Sequence, residues 1–191
     1  MHYVMTCEGP YPTHSISKAP KFPSPSWMMG RKVTVQVPEP LVYELSTRIN
    51  PDTRTAGNAK AMYDSLTKPL MREDLKAAIW EAGVDNIDFY RAIVKDPLTG
   101  EELKNYWAFN ILGLISCADM TRSKLMGTSK SQLLDVDFDS LVIDEEGTMG
   151  FHLFRLAENI SAIVVDDEVK ETIEQHKIPG MVFYGPGKWS G

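Results

Sequence analysis

Apolar and polar residues repeat with two periods along this 191-residue chain, and these periods separate predicted helices from predicted strands. The clearest helix pattern opens at Thr67 or Lys68, has Pro69 in its first turn and ends before Gly83. Within it, apolar residues recur three and four positions apart, as on one buried helix face: Leu75, Ala78, Ile79 and Ala82. We therefore expect an amphipathic helix that lies on a sheet.

A second helix is predicted after Asp166 or Asp167, because either carboxylate can accept hydrogen bonds from the free amides of a first helical turn. Val169 and Ile173, four positions apart, then face the core. Residues 58–66 carry a less distinct pattern that predicts a third, short helix.

Strand patterns cover most of the remaining chain. Residues 33–37 and 41–45 alternate apolar and polar positions around Pro38 and Pro40, as expected of one edge strand interrupted by prolines. Residues 96–100 form a turn typical of a hairpin. The other predicted strands are residues 1–5, 87–95, 104–117, 132–144, 151–156, 162–165 and 182–184. Runs of strands with two or three scattered helices indicate the α+β class with a mainly antiparallel sheet.

The N-terminal part differs in composition from the rest. Five of the twelve prolines lie between Pro10 and Pro25, which excludes a helix or a sheet interior there. Tyr11, Phe22 and Trp27 interrupt this stretch, and aromatic side chains of this kind pack on a folded surface. We expect a Pro-rich arm over residues 1–32, packed on a single α+β domain that spans residues 33–191.

Charge is distributed unevenly. The formal net charge is −6, and residues 131–191 hold four basic and twelve acidic side chains, a net −8. The first 130 residues hold 16 basic and 14 acidic side chains. This balance argues against nucleic acid binding by bulk electrostatics, which needs clustered Lys and Arg. It favours a basic partner, and a merely solvated acidic face is the alternative.

The cysteine count and the apolar runs bear on where the protein acts. Cys7 and Cys117 are too few and too far apart for a disulfide framework, which fits a reduced cytoplasmic setting. The first ten residues do not have the pattern of a secretory signal. The longest mostly apolar run, residues 107–118, falls short of the ~20 residues of a membrane span. We expect a cytoplasmic protein with no membrane partner.

A calcium loop is the most tempting chemical motif. Asp135, Asp137, Asp139 and Glu146 have the ligand spacing of an EF-hand, but Ser140 occupies the position that needs Gly. Apolar residues alternate with the three aspartates, as in a strand with one buried face. We therefore interpret the segment as a strand with an acidic, solvent-facing side and predict no metal there.

Other catalytic motifs are incomplete. Residues 185–188 lack the glycine spacing and the following Ser or Thr of a phosphate-binding loop. Ser116 and Cys117 lie in an apolar strand without the glycines of a nucleophile elbow. The histidines are isolated and offer no metal-ligand spacing: His2, His14, His152 and His176. We predict no catalytic residue, no metal and no cofactor.

Seven short segments keep a recognisable order and spacing: residues 68–72, 81–86, 106–111, 119–123, 154–156, 163–166 and 178–183. Their sequences are KPLMR, EAGVDN, YWAFNI, DMTRS, FRL, IVVD and IPGMVF. Together they resemble immunity family eleven of bacterial polymorphic toxin systems, over residues 67–184. The segments are mostly apolar, so the resemblance carries over a scaffold and no catalytic residues.

The resemblance implies a non-enzymatic antitoxin. Such a protein is made beside a toxin that serves bacterial competition, and it binds and blocks that toxin in the cytoplasm. Combined with the acidic C-terminal third, it predicts a basic toxin such as a nuclease. We expect the toxin to contact Asp135, Asp137, Asp139, Asp166 and Asp167. A homo-oligomer stays open, as do a hydrolase or metal-dependent enzyme built on these acids and a structural subunit of a larger complex.

Overall fold

The computed structural model describes residues 1–9, 13–24, 26–48, 58–126 and 136–191. These residues form two α-helices, α1 (Glu73–Glu81) and α2 (Asp167–Gln175), and single 3-10 turns at Trp27–Met29 and Glu146–Thr148. The strands among them are β1 (His2–Cys7), β2 (Ile16–Lys18), β3 (Leu41–Leu45), β4 (Met62–Tyr63), β5 (Leu70–Arg72), β6 (Ile87–Lys95), β7 (Glu102–Ile111), β8 (Leu114–Ile115), β9 (Lys124–Leu125), β10 (Phe138–Ser140), β11 (Leu153–Leu156), β12 (Ile163–Asp166) and β13 (Met181–Tyr184).

Two large sheets and a small hairpin organise these strands. The first sheet has the order β13-β1-β12-β11-β8, the second has the order β2-β3-β6-β7-β5-β4, and β9 pairs with β10. Neighbouring strands are antiparallel except for two pairs, β8 with β11 and β3 with β6. The protein therefore has the predicted α+β class with mainly antiparallel pairing. Neither α1 nor α2 is long and apolar enough to cross a membrane.

The main core joins both large sheets to both helices. Helix α1 packs on β5 and β7, α2 packs on β1 and β12, and the two helices contact each other. All four residues of the predicted apolar stripe on α1 are buried, and so are Val169 and Ile173 on α2. Successive side chains of β1 point to opposite faces of the first sheet. Met5 therefore lies in this core, and Val4 lies in a second core on the other face. A third core covers the opposite face of the second sheet.

The helix around Leu75 begins later than its sequence pattern predicts. Residues 70–72 are extended and form β5, in which Met71 lies opposite Trp107 of β7. Helix α1 starts only at Glu73, after Arg72 in an extended conformation. The predicted start near Thr67 or Lys68 is wrong because pairing with a long neighbouring strand outweighs the local helix signal.

Two other local predictions are also wrong. Residues 58–66 contain no helix, since Met62–Tyr63 pairs with β5 as β4. Residues 33–37 are not a strand, and β3 is not an edge strand, because β2 lies on one side of it and β6 on the other. The flanking prolines favour an edge position for β3. The neighbour that covers this edge, β2, comes from the Pro-rich segment, where the sequence predicts no strand.

The predicted strand over residues 104–117 is divided between the two sheets. Strand β7 ends at Ile111, and Gly113 follows with φ 137°. Its amide donates a hydrogen bond to the carbonyl of Gly30, and β8 then pairs with β11 of the other sheet. A glycine is needed here because an L side chain rarely adopts this φ. Of the predicted strand 132–144, residues 132–135 lie outside the described residues and 138–140 form β10.

The N-terminal residues contact the second sheet. Trp27 is buried, and its ring centroid lies 4.8 Å from that of Tyr90 and 6.2 Å from that of Phe22. Pro10, Tyr11, Pro12 and Pro25 lie outside the described residues. The division into an arm and a domain at residue 32 stays a prediction.

Candidate functional site

The predicted toxin-facing aspartates fall into two groups. Asp137 and Asp139 are exposed on the β9–β10 hairpin, on either side of the buried Phe138. This is the predicted alternation of an acidic outer side with an apolar inner side. Asp135 lies outside the described residues.

Asp166 and Asp167 are instead occupied by contacts that hold the fold together. Asp166 is the N-cap of α2, because its Oδ1 accepts a hydrogen bond from the Val169 amide at 3.0 Å. Asp167 accepts hydrogen bonds from the Met1 amine at 2.6 Å and from the Tyr3 hydroxyl at 3.0 Å. The Asp167 carboxylate thus joins α2 to Met1 and β1, and part of the hydrogen-bonding capacity of both aspartates is already used.

Three cationic or basic groups accompany these acids. Asp166 Oδ2 lies 2.6 Å from Nδ1 of His152, and this hydrogen bond raises the pKa of His152. The hydrogen bond from the Met1 amine lowers the pKa of Asp167. Glu145 lies 2.6 Å from Nδ1 of His2 and 3.7 Å from the Met1 amine. We call Glu145, Asp166, Asp167 and Glu168 the acidic cluster. No contact in the described part of the chain joins Asp137 or Asp139 to it.

The two candidate nucleophiles lie in different surroundings. Cys117 is buried, and desolvation raises the pKa of its thiol to about 12, so the thiol is protonated at neutral pH. Ser116 donates a hydrogen bond to Glu158 at 2.6 Å. Among the described residues, no group of three or more His, Cys, Asp or Glu side chains is placed to hold a metal ion.

An aromatic groove lies on the second sheet, and the sequence reasoning did not anticipate it. Its volume is about 500 Å³, and it lies on the sheet face that carries α1. The lining residues, which define the aromatic groove, are Pro40, Glu73, Arg91, Ala92, Ile93, Lys104, Tyr106 and Trp107. The pairing of Arg91 with Trp107 across β6 and β7 places these two side chains on the same face.

Trp107 is held from three sides. Its indole N–H donates a hydrogen bond to the Glu73 carboxylate. Lys76 Nζ lies 3.5 Å from the Trp107 ring centroid, and Arg91 Cζ lies 5.4 Å from it. Both distances are within the range of cation–π attraction. A half-buried Trp fixed in this way presents a rigid apolar surface beside two cations.

The described residues form an α+β protein with exposed acids on the β9–β10 hairpin and an aromatic groove on the second sheet. The chain belongs to the Imm11 immunity protein family, whose model matches residues 69–187. The resemblance seen in the sequence is thereby confirmed. Comparison with curated proteins found no match. Family membership indicates a role in toxin immunity, with a toxin as partner, and is consistent with a non-enzymatic protein.

Proposed function

We propose that this protein binds a toxin encoded beside it and neutralises the toxin by stoichiometric binding in the bacterial cytoplasm. Membership of the immunity family over residues 69–187 carries the proposal. Stoichiometric binding needs no nucleophile of the protein's own, and the buried Cys117, whose pKa is raised to about 12, does not supply a thiolate. In bacterial competition, a toxin delivered into a neighbouring cell would meet this protein there.

The proposed toxin is a basic effector such as a nuclease. Asp137 and Asp139 are exposed, so their charges can attract a basic surface over several ångströms. Asp135 precedes them in sequence and belongs to the same proposed contact. Asp166 and Asp167 add to the negative potential, although their hydrogen bonds to His152 and to the Met1 amine offset part of it.

Co-expression with the toxin domain encoded by the adjacent gene tests the proposed function. Cells that produce the toxin domain alone should stop growing, and cells that also produce this protein should survive. An unrelated acidic protein of similar size serves as the control for non-specific charge. If cells die equally with and without the protein, the proposed function is wrong.

The charge component has a separate test. The double variant Asp137→Asn, Asp139→Asn should associate with a catalytically inactive toxin domain about threefold or more slowly at low salt, because steering is lost. The wild-type advantage should shrink as salt is raised. The double variant Glu101→Gln, Glu171→Gln is the matched control, since it also removes two exposed charges but these lie in the β6–β7 turn and on α2. Equal association rates for all three proteins would show that the two aspartates are only solvated and do not steer the toxin.

A further inference from the structure

The second sheet has an open face next to α1. Helix α1 covers β5 and β7 on this face. Ile93 of β6 and Val42 of β3 lie side by side on the part of the face that α1 does not cover. Val42 is 41% exposed and Ile93 is half-buried. Large apolar side chains in the middle of a sheet are normally covered, so this apolar surface next to the aromatic groove is available to a partner.

The groove has the composition of a binding hot spot. Trp and Arg are the side chains most enriched where interfaces derive their energy, and Trp107 and Arg91 lie together here. Because Glu73 and Lys76 already fix Trp107, a partner that packs on its ring loses little further side-chain entropy. The groove volume of about 500 Å³ is in the range of about 300–1,000 Å³ found for ligand pockets.

The charges at the groove select an acidic group. Arg91 is exposed, and its guanidinium forms no ion pair with any described residue. The Lys104 side chain is 71% exposed and lies 3.8 Å from Glu102, a loose ion pair at the surface. Two carboxylates lie at this end of the groove and both are engaged: that of Glu73 by Trp107 and Lys76, and that of Glu39 by the Arg91 backbone amide at 2.6 Å. A partner carboxylate could therefore bind Arg91, whose planar guanidinium suits two parallel hydrogen bonds.

We infer that the aromatic groove is the anchor site for the toxin, and that it takes a toxin segment in which an apolar side chain adjoins a carboxylate. The apolar side chain packs on Trp107 and Ile93, and the carboxylate binds Arg91. This inference rests on the proposed function. It assigns different steps to the two surfaces: the exposed acids speed the encounter, and the groove slows dissociation.

Dissociation kinetics with a catalytically inactive toxin domain test the inference. Arg91→Glu should raise the dissociation rate at least tenfold and change the association rate by less than about twofold. Trp107→Ala should raise the dissociation rate to a similar extent. Arg31→Glu is the matched control: Arg31 is exposed, lies outside the groove lining and undergoes the same charge reversal. Its complex should dissociate like that of the wild type.

Three results would separate the possible failures. Arg91 is exposed and its side chain contacts Trp107, so Arg91→Glu should lower the unfolding temperature only slightly, and thermal unfolding of the variant separates a loss of binding from a loss of fold. If the wild type binds the toxin and both groove variants dissociate at the wild-type rate, the inference is wrong and the proposed function stands. If the wild type neither binds nor protects, the proposed function itself fails. A wild-type dimer that Arg91→Glu makes monomeric, with toxin dissociation unchanged, would assign the groove to self-association and overturn the inference.

Discussion

Asp166 confirms a prediction about helix capping, while its predicted contact with the toxin stays a prediction. Both its oxygens are engaged, one by the Val169 amide and the other by His152. Sequence position alone identifies it as a candidate cap, because a carboxylate precedes an amphipathic pattern. The second partner, His152, lies fourteen residues away, just before β11. Its contact with Asp166 depends on how β11 and β12 pair. The helix cap could therefore be predicted from the sequence. The hydrogen bond to His152, which leaves less of the Asp166 carboxylate for a partner, could not.

Replacing the cap gives a stability prediction. Asp166→Ala should lower the free energy of unfolding by about 1 kcal/mol, because the first turn of α2 loses its side-chain acceptor. Asp166→Asn should lose less, since an amide oxygen can still cap the helix. Urea denaturation of the two variants measures the difference. Glu171→Ala, an exposed change on the same helix, should stay within about 0.5 kcal/mol of the wild type, and an equal loss in all variants would contradict the capping role.

The His152 hydrogen bond makes stability depend on pH. Its pKa is raised above 6.5 in the folded protein, first by the hydrogen bond to Asp166 and further by the charges of Asp166, Glu168 and Asp85. The stabilisation is therefore fully present below about pH 6.5 and is lost as pH rises through the folded pKa. His152 is well exposed, so the effect should not exceed about 1 kcal/mol.

A His152→Asn variant isolates this contribution. The free energy of unfolding of wild type and variant should differ more at pH 5.5 than at pH 8.5. Urea denaturation at both values measures this, and His176→Asn serves as the control for a second surface histidine. A larger difference at the higher pH would show that the assigned sign is wrong.

Helix α1 presents two large apolar side chains with opposite environments. Leu75 is fully buried in the main core, whereas Trp80 is 63% exposed and stacks on Phe89 with centroids 6.3 Å apart. Leu75→Ala should therefore cost about 2–5 kcal/mol of unfolding free energy, through lost burial and a cavity. Trp80→Ala should cost under about 1 kcal/mol. Thermal and urea unfolding of both variants measure the contrast, and equal losses would contradict the packing of α1.

The β6–β7 hairpin explains why the groove could not be predicted. The sequence pattern predicts both of its strands and its turn. Near the turn, Lys95 lies opposite Glu102. Extending that register would pair Arg91 with Tyr106, but a bulge between Ala92 and Val94 shifts the pairing, and Arg91 lies opposite Trp107. A slip of one residue exchanges the two faces of a strand. The groove therefore depends on one extra residue that no hydrophobic pattern marks.

Across the whole molecule, local periodicity predicted the class of fold but not the order of its strands. Strand β1 lies outside the family-matched residues 69–187, yet it occupies the interior of the first sheet, between β12 and β13. Its pairing joins residues more than 150 positions apart, such as His2 with Asp166. Contacts of such separation depend on sheet closure, which a single sequence does not encode in any local pattern.

The acidic side chains of the C-terminal third have different surroundings in the folded molecule. The acidic C-terminal third does present Asp137 and Asp139 to solvent, as predicted. Its other predicted contacts, Asp166 and Asp167, are brought against the Met1 amine, Tyr3 and His152. The acidic C-terminal third therefore forms the exposed β9–β10 hairpin and the acidic cluster, whose charge is partly neutralised. We propose that the exposed acids and the aromatic groove on the other large sheet both contact the toxin.

The central claim, stoichiometric inhibition, has one direct measurement. The purified protein is titrated into a fixed concentration of active toxin domain, well above the dissociation constant of the complex, and the residual toxin activity is recorded. We expect a linear fall in toxin activity that ends at one protein molecule per toxin molecule. Full toxin activity in the presence of excess protein would contradict the claim, as would complete inactivation by a small fraction of an equivalent, which would indicate an enzyme.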